Sequence, residues 1–339
     1  MEELNQLVEE GVAPHESTPF RSTTRPGYGS LSAKQIGDYT LLRRLGQGGH
    51  ASVYLSMNTY LRTRVALKLL DDFLASEEDV KRFHLEVYLL WHLQHRHIVR
   101  MLDFNIAQDM PFLVMEYAPM GDLGQHFPKG SAFPVHTIVP VVLQIASALQ
   151  YIHNVQLIHC DVKPSNILLG TKQDAWLTDF GIAHVMRAGK RASPSVANKL
   201  VGTPLYLSPE RIEGSPLPAS DQYSLAVMVY CWLCGSEPFS GTGLQICLQH
   251  LSTPPPCLRD FVPSISLAVE RVVLKALAKD PKQRFSHVGE FADALKEASL
   301  AERGSSAPRY MMSSPQVPGF TFNRAGYGKP QRTPVANTG

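Results

Sequence analysis

Short, mainly apolar runs over residues 39–45, 52–56 and 64–70, set off by polar and glycine-rich stretches, predict three β-strands early in the chain. Runs 98–102 and 112–117 read the same way and bring the expected strands to five. Between the third and fourth, Leu85, Leu89, Leu90 and Leu93 recur at helical spacing. They follow Ser76-Glu77-Glu78-Asp79, a capping-box start with acids at the positive end of a helix. After residue 117 the pattern changes. Ile138, Val141, Val142, Ile145, Leu149 and Ile152 mark an amphipathic helix. The longest apolar run, 225–234, predicts a buried helix and is too short to span a membrane. Two more helices are expected over about 267–278 and 288–301. Strands followed by helices make an α+β chain in two parts. Residues 1–37 and 302–339 show no sustained period and are rich in Ser, Pro and Gly. They read as a mobile arm, with a short helix over 4–10, and a disordered tail.

Composition narrows the function classes. With 44% hydrophobic and 18% charged residues in 339, a packed core is expected. The balance of 32 basic and 30 acidic side chains, +2, is too even for a nucleic-acid or membrane-surface binder. Met1-Glu2-Glu3-Leu4 is acidic and is not a secretory start. Five cysteines, an odd number, point to reduced thiols and a cytoplasmic location. Cys231 and Cys234, at i,i+3 in an apolar helix, read as buried structural thiols. His84, His92, His95 and His97 crowd together at a spacing that fits no common metal motif.

The chemistry is concentrated in His159-Cys160-Asp161-Val162-Lys163-Pro164-Ser165-Asn166. Phosphoryl transfer needs a base for a hydroxyl proton, a cation on the moving phosphate and a metal ligand. Asp161, Lys163 and Asn166 supply these in order, and Pro164 stiffens the loop between them. Asp179-Phe180-Gly181 adds a second metal-binding carboxylate. Upstream, Gly46-Gln47-Gly48-Gly49 sits between two expected strands, where glycines let backbone N–H groups approach phosphate. Lys68 ends the apolar strand Val65-Ala66-Leu67-Lys68 facing inward and needs a partner, for which Glu86 is the candidate.

These segments, in this order, resemble the eukaryotic-like (Hanks-type) serine/threonine protein kinases, most closely bacterial ones. The resemblance covers about residues 38–300. It implies a bilobal fold, with an N-lobe (38–117) of a five-stranded antiparallel sheet plus one major helix and a mainly helical C-lobe (118–301). It implies ATP as phosphoryl donor, Mg2+ as cofactor with Mn2+ the alternative, and Ser/Thr hydroxyls of proteins as acceptors. Asp161, Lys163 and Thr203 would be catalytic, and Asn166 and Asp179 would hold the metal. Leu45, Gly46, Gln47, Gly48, Gly49, Val53, Ala66, Lys68, Glu86, Met115, Glu116, Ala118 and Leu168 would surround the nucleotide. Gly202-Thr203-Pro204 through Ser208-Pro209-Glu210 resembles the substrate-docking end of an activation segment, with Arg284 as the partner of Glu210. Asp221 would bond the backbone of the catalytic loop or cap its own helix. Asp122 is either a ribose or substrate contact or a helix N-cap. A dimer would serve autophosphorylation.

One residue departs from the pattern with consequence. Cys160 stands where regulated members carry an arginine that grips a phosphate on the activation segment. A neutral thiol lacks that grip, so weak dependence on phosphorylation at Ser193 or Ser195 is expected. Two rivals remain at this point: a pseudokinase that binds ATP as a scaffold, and a small-molecule kinase sharing the H-x-D-x-x-x-x-N loop.

Overall fold

The computed structural model describes residues 35–48, 51–70, 87–88, 90–107, 110–172, 174–179 and 204–305. Most of the expected arm and most of the expected tail therefore lie outside the described residues, as do Ser193 and Ser195; the last residues of the arm form a strand instead.

The N-terminal part is an antiparallel sheet of six strands, one more than the apolar runs predict. In chain order they are β1 (Gln35–Ile36), β2 (Tyr39–Gln47), β3 (Ala51–Asn58), β4 (Arg64–Leu70), β5 (Met101–Ala107) and β6 (Met110–Glu116). They lie side by side as β1-β2-β3-β4-β6-β5. The additional strand is only two residues long, too short for alternation to show. It exists because Gly37 adopts φ +52°, which closes a tight turn and sets Ile36 opposite Tyr39. The fourth expected strand, 98–102, is displaced to Met101–Ala107. Its apolar start is used elsewhere: Val99 N donates to Leu177 O at 2.9 Å, tying Ile98 and Val99 to the second half of the molecule. Val87, fully buried and helical, packs with Leu70 and Leu113 on one face of the sheet.

The second half is helical. Its long helices are α2 (Val135–Asn154), α4 (Pro218–Cys234), α5 (Gly243–Ser252), α7 (Leu267–Ala276) and α8 (Val288–Ser305); the short α1 (Leu123–His126), α3 (Pro209–Ile212) and α6 (Leu258–Phe261) lie among them. Helix α8 runs four residues beyond the expected end at 301. By length and hydropathy α2 would suffice to cross a membrane, which reading single apolar runs did not show. Half of that window is buried against the lobe, and its apolar face (Ile138, Val142, Ile145, Leu149, Ile152) lies in the main core. Helix α4 is buried all round, with thirteen of its seventeen residues buried, as befits a helix at the centre of a lobe, and its polar side chains lie in its first two turns. It stops at Gly235, whose φ of +71° lets its N–H reach Cys231 O at 2.8 Å. Burial pushes the Cys231 and Cys234 thiols up to about 12, so both are neutral packing groups.

One buried ion pair fastens α3 to the rest of the lobe. The Arg284 guanidinium meets Glu210 bidentately, at 2.8 and 2.9 Å. Its remaining donors reach Ala219 O, Ala278 O and Lys279 O, so all five N–H groups are used. Ser220 Oγ also donates to Glu210 Oε1, at 2.7 Å. Burial alone would raise the Glu210 carboxyl, but the Arg284 and Ser220 hydrogen bonds outweigh it and hold the group below the usual glutamate range. A carboxyl depressed in the folded state stabilises the fold above its unfolded value, and that stability is lost as pH falls through the folded one. Removing one partner of such a pair costs about 3–5 kcal/mol. Glu210→Gln is expected to lose stability of that order in urea unfolding at neutral pH and to flatten the acid limb of the stability curve below the ordinary glutamate range. An unchanged midpoint and acid limb would show that the pair is not a fastening.

Candidate active site

Helix α2 leads into the loop 159–166, and the two-stranded ribbon β7 (Ile167–Leu169) and β8 (Ala175–Leu177) closes it. The loop is anchored from below by Asp221, at the start of α4. Its carboxylate accepts from His159 N at 2.9 Å, Cys160 N at 2.9 Å and His153 Nε2 at 2.8 Å. Cys160 is held at φ +64°, a left-handed conformation unusual for a residue with a Cβ. Burial pushes its thiol up to about 11, so it carries no charge at neutral pH.

Asp161 sits at the mouth of this loop. Its Oδ2 lies 2.7 Å from Lys163 Nζ, and Asn166 Nδ2 donates to both its carbonyl and its Oδ2 at 2.8 Å. Burial would raise the Asp161 carboxyl, yet the Lys163 ammonium outweighs it and brings the group below the usual aspartate range. His159, fully buried, splices this loop to the next one. Its Nε2 bonds Thr178 O at 2.9 Å, which leaves Nδ1 to accept from Asp161 N at 3.2 Å. Thr178 N in turn donates to Asn166 O at 3.0 Å. Asp179, at φ +61°, is thereby presented beside Asn166.

Lys68 reaches down from β4, and its Nζ lies 2.7 Å from Asp179 Oδ1. The partner expected for Lys68 was Glu86, which lies outside the described residues, as do Gly49 and Thr203. The ion pair with Asp179 joins the sheet to the helical half. Behind it Leu90, Met101, Leu113 and Met115 enclose a small cavity of about 30 Å³. The remaining expected nucleotide contacts fall along the same edge of the sheet. Leu45, Gly46 and Gln47 end β2, Val53 lies opposite Gly46 on β3, and Ala66 faces Met115 across β4 and β6. A Cβ at Gly46 would meet nothing within 4 Å, so the space over the strand is open to a ligand. Gly48 N–H is committed to Ala51 O at 2.8 Å and closes the turn. Glu116 ends β6, Ala118 follows it, and Leu168 on β7 bridges to Asp122. Asp122 caps α1 by accepting from Gln125 N, with Gln125 Nε2 also on its carboxylate at 2.8 Å.

The metal donors can be tested on chemistry. Asn166 spends its amide nitrogen on Asp161, which leaves its carbonyl oxygen for a cation, and Asp179 offers a carboxylate. Among the described residues no group of three or more His, Cys, Asp or Glu side chains gathers. Sparse hard-oxygen donors suit a hard divalent cation, which would take its other ligands from phosphate and water. The residues fit that ion.

Sequence reasoning missed the roles of His153 and His159 and the Lys68–Asp179 pair. A histidine at the end of a helix, or two places before a carboxylate, carries no spacing signal of its own.

A model of the protein kinase domain family matches residues 39–298. The chain is 36% identical, over 80% of its length, to serine/threonine-protein kinase Pkn1 of Myxococcus xanthus. It is 33% identical over the same share to serine/threonine-protein kinase PrkC of Bacillus subtilis. It spans only 40% and 42% of those two relatives. Against serine/threonine-protein kinase PknL of Mycobacterium tuberculosis it is 33% identical and covers 69% of the relative. With the sheet, the loop geometry and these matches in agreement, the chain belongs to the protein kinase family, alongside its bacterial serine/threonine members.

Proposed function

We propose that the protein transfers the γ-phosphoryl group of ATP to Ser or Thr hydroxyls of proteins, itself included, in a signalling role. The observation that carries this reading is the convergence of Asp161, Lys163 and Asn166 with the Lys68–Asp179 pair at the junction of sheet and helices. Asp179 and the Asn166 carbonyl would hold the metal, Mg2+ in preference to Mn2+, which would supply positive charge to offset that of the phosphates. Lys68 exchanges its carboxylate partner for the ATP phosphates. Lys163, already at the mouth of the loop, sits where it can offset charge on the transferring group. Asp161 accepts a hydrogen bond from the acceptor hydroxyl. As the new O–P bond forms and the bridging bond to ADP breaks, the hydroxyl proton passes to Asp161. A carboxylate held below its usual range is a weak base, so it orients the hydroxyl and takes the proton late.

A groove of about 350 Å³ opens beside Lys163 and supports a polypeptide acceptor. Lys163, Pro164 and Ser165 form one side, and Phe127, Tyr206 and Trp232 supply apolar walls. Its rim charges, Lys129 and Glu237, pair with each other at 3.1 Å. The catalytic unit is taken as 38–301, with β1 and the end of α8 attached to it. The thiols of all five cysteines are unpaired, which supports a reducing compartment such as the cytoplasm.

Asp161→Asn keeps the hydrogen-bonding shape and removes the base. Label transfer from ATP to a generic protein substrate is expected to fall by about a hundredfold or more, with nucleotide affinity retained. Transfer at the wild-type rate would exclude Asp161 as the base, and absent transfer in both proteins would leave an ATP-binding scaffold. The neutral, half-buried Cys160 leads to a second outcome. A Ser193→Ala/Ser195→Ala double variant should keep its rate within about tenfold, since the loop has no arginine to receive a phosphate. A drop of about a hundredfold or more, the scale of a lost transition-state contact, would contradict this.

A further inference from the structure

A buried chain of hydrogen bonds that the reaction does not use ends on the 3₁₀ turn Pro204–Tyr206. It begins at Lys279. The ammonium donates to Tyr223 Oη at 3.3 Å and Gln249 O at 3.1 Å and stands 4.5 Å over the Phe239 ring. Among the described residues no carboxylate pairs with it. Tyr223 Oη lies 3.0 Å from His250 Nδ1, and His250 Nε2 lies 3.1 Å from Leu205 O. Tyr223 and His250 are both fully buried.

The two ends dictate the direction of every bond. An ammonium can only donate and a carbonyl can only accept. Tyr223 therefore accepts from Lys279 and donates to Nδ1, while His250 is neutral and carries its proton on Nε2. Burial, reinforced by Lys279, holds the His250 imidazole down to about 4, in keeping with that single arrangement. Burial also lowers Lys279, to about 8, with the like charge of Arg284 adding to it.

The target of the chain gives it a purpose. Leu205 precedes Tyr206, and Tyr206 lines the groove that Lys163 borders, while Lys163 lies 2.7 Å from the Asp161 carboxylate. Ser224 Oγ holds Tyr206 O at 2.6 Å, and Arg284 holds Glu210 a few residues on. Breaking one link strands buried donors and acceptors, so the turn has a discrete position instead of a range.

We infer that Lys279, Tyr223 and His250 form a positioning relay that sets the turn Pro204–Tyr206, and with it the protein-substrate groove, independently of the nucleotide site. The inference rests on the protein-kinase reading above and adds a determinant of protein-substrate affinity to it. His250→Leu removes both bonds, whereas His250→Gln retains an acceptor for Tyr223 and a donor for Leu205. For His250→Leu, KM for a generic substrate protein such as casein should rise by about tenfold, with kcat and KM for ATP within about twofold. His250→Gln should return KM for the protein to within about threefold of wild type. The ¹⁵N shifts of the wild-type His250 ring should report the Nε2–H form. Equal protein KM in a folded His250→Leu, a joint change in kcat and both KM values, no recovery in His250→Gln, or an Nδ1–H ring would each overturn the relay. Turnover by the wild type tests the kinase reading separately, and the ring tautomer can be read without any turnover.

Discussion

The arrangement depends on a carboxylate buried at the first turn of the central helix. Asp221 is 1% exposed and would be costly there without partners. It has three: two consecutive backbone N–H groups of the catalytic loop and the imidazole of His153. The left-handed backbone at Cys160 costs about 1–2 kcal/mol in an L-residue. The bond from Cys160 N to Asp221 holds that conformation in place. Asp161, one residue on, is thus positioned by the most buried helix of the molecule and not by a surface loop. Precision at the reacting group follows from burial some distance beneath it.

Charges at the cleft come in matched pairs. Lys68 faces Asp179 and Lys163 faces Asp161, both at 2.7 Å. On the function proposed above, each pair would set one cation toward the phosphates and one carboxylate toward the metal or the hydroxyl. The Lys68–Asp179 pair also keeps the two halves in register, since Lys68 belongs to the sheet and Asp179 to the loop after β8. Substrate-side parts are held by a separate network. Arg284 bonds Glu210 and the backbone carbonyl of Lys279, and the Lys279 side chain begins the chain that ends on Leu205. Helix α4 joins the two systems: it carries Asp221 for the catalytic loop and Tyr223 and Ser224 for the docking turn.

What could be read from the sequence was whatever lies close together along it. Asp161, Lys163 and Asn166 fall within six residues, and Val65 to Lys68 is one strand, so spacing alone exposed them. Most of the sheet followed from short apolar runs, and the long helices from their helical spacing. Elements shorter than a period escaped, as β1 did, and an apolar run could be claimed by the wrong neighbour, as Ile98 and Val99 were. Contacts made only by folding were the hardest to foresee. Lys68 and Asp179 are 111 residues apart, and His153 and Asp221 are 68 apart. The Glu210–Arg284 pair spans 74 residues and was legible only because the family resemblance supplied it.

On this reading one phosphorus is surrounded by a base, two lysines and a pair of metal-holding residues. A crystal structure with Mg2+ and a non-hydrolysable ATP analogue examines it most directly. The account predicts Lys68 Nζ released from Asp179 onto the phosphates, the metal on the Asp179 carboxylate and the Asn166 carbonyl, and the Asp161 carboxylate facing the terminal phosphate. A nucleotide bound away from these groups, or a metal held by neither Asp179 nor Asn166, would contradict it.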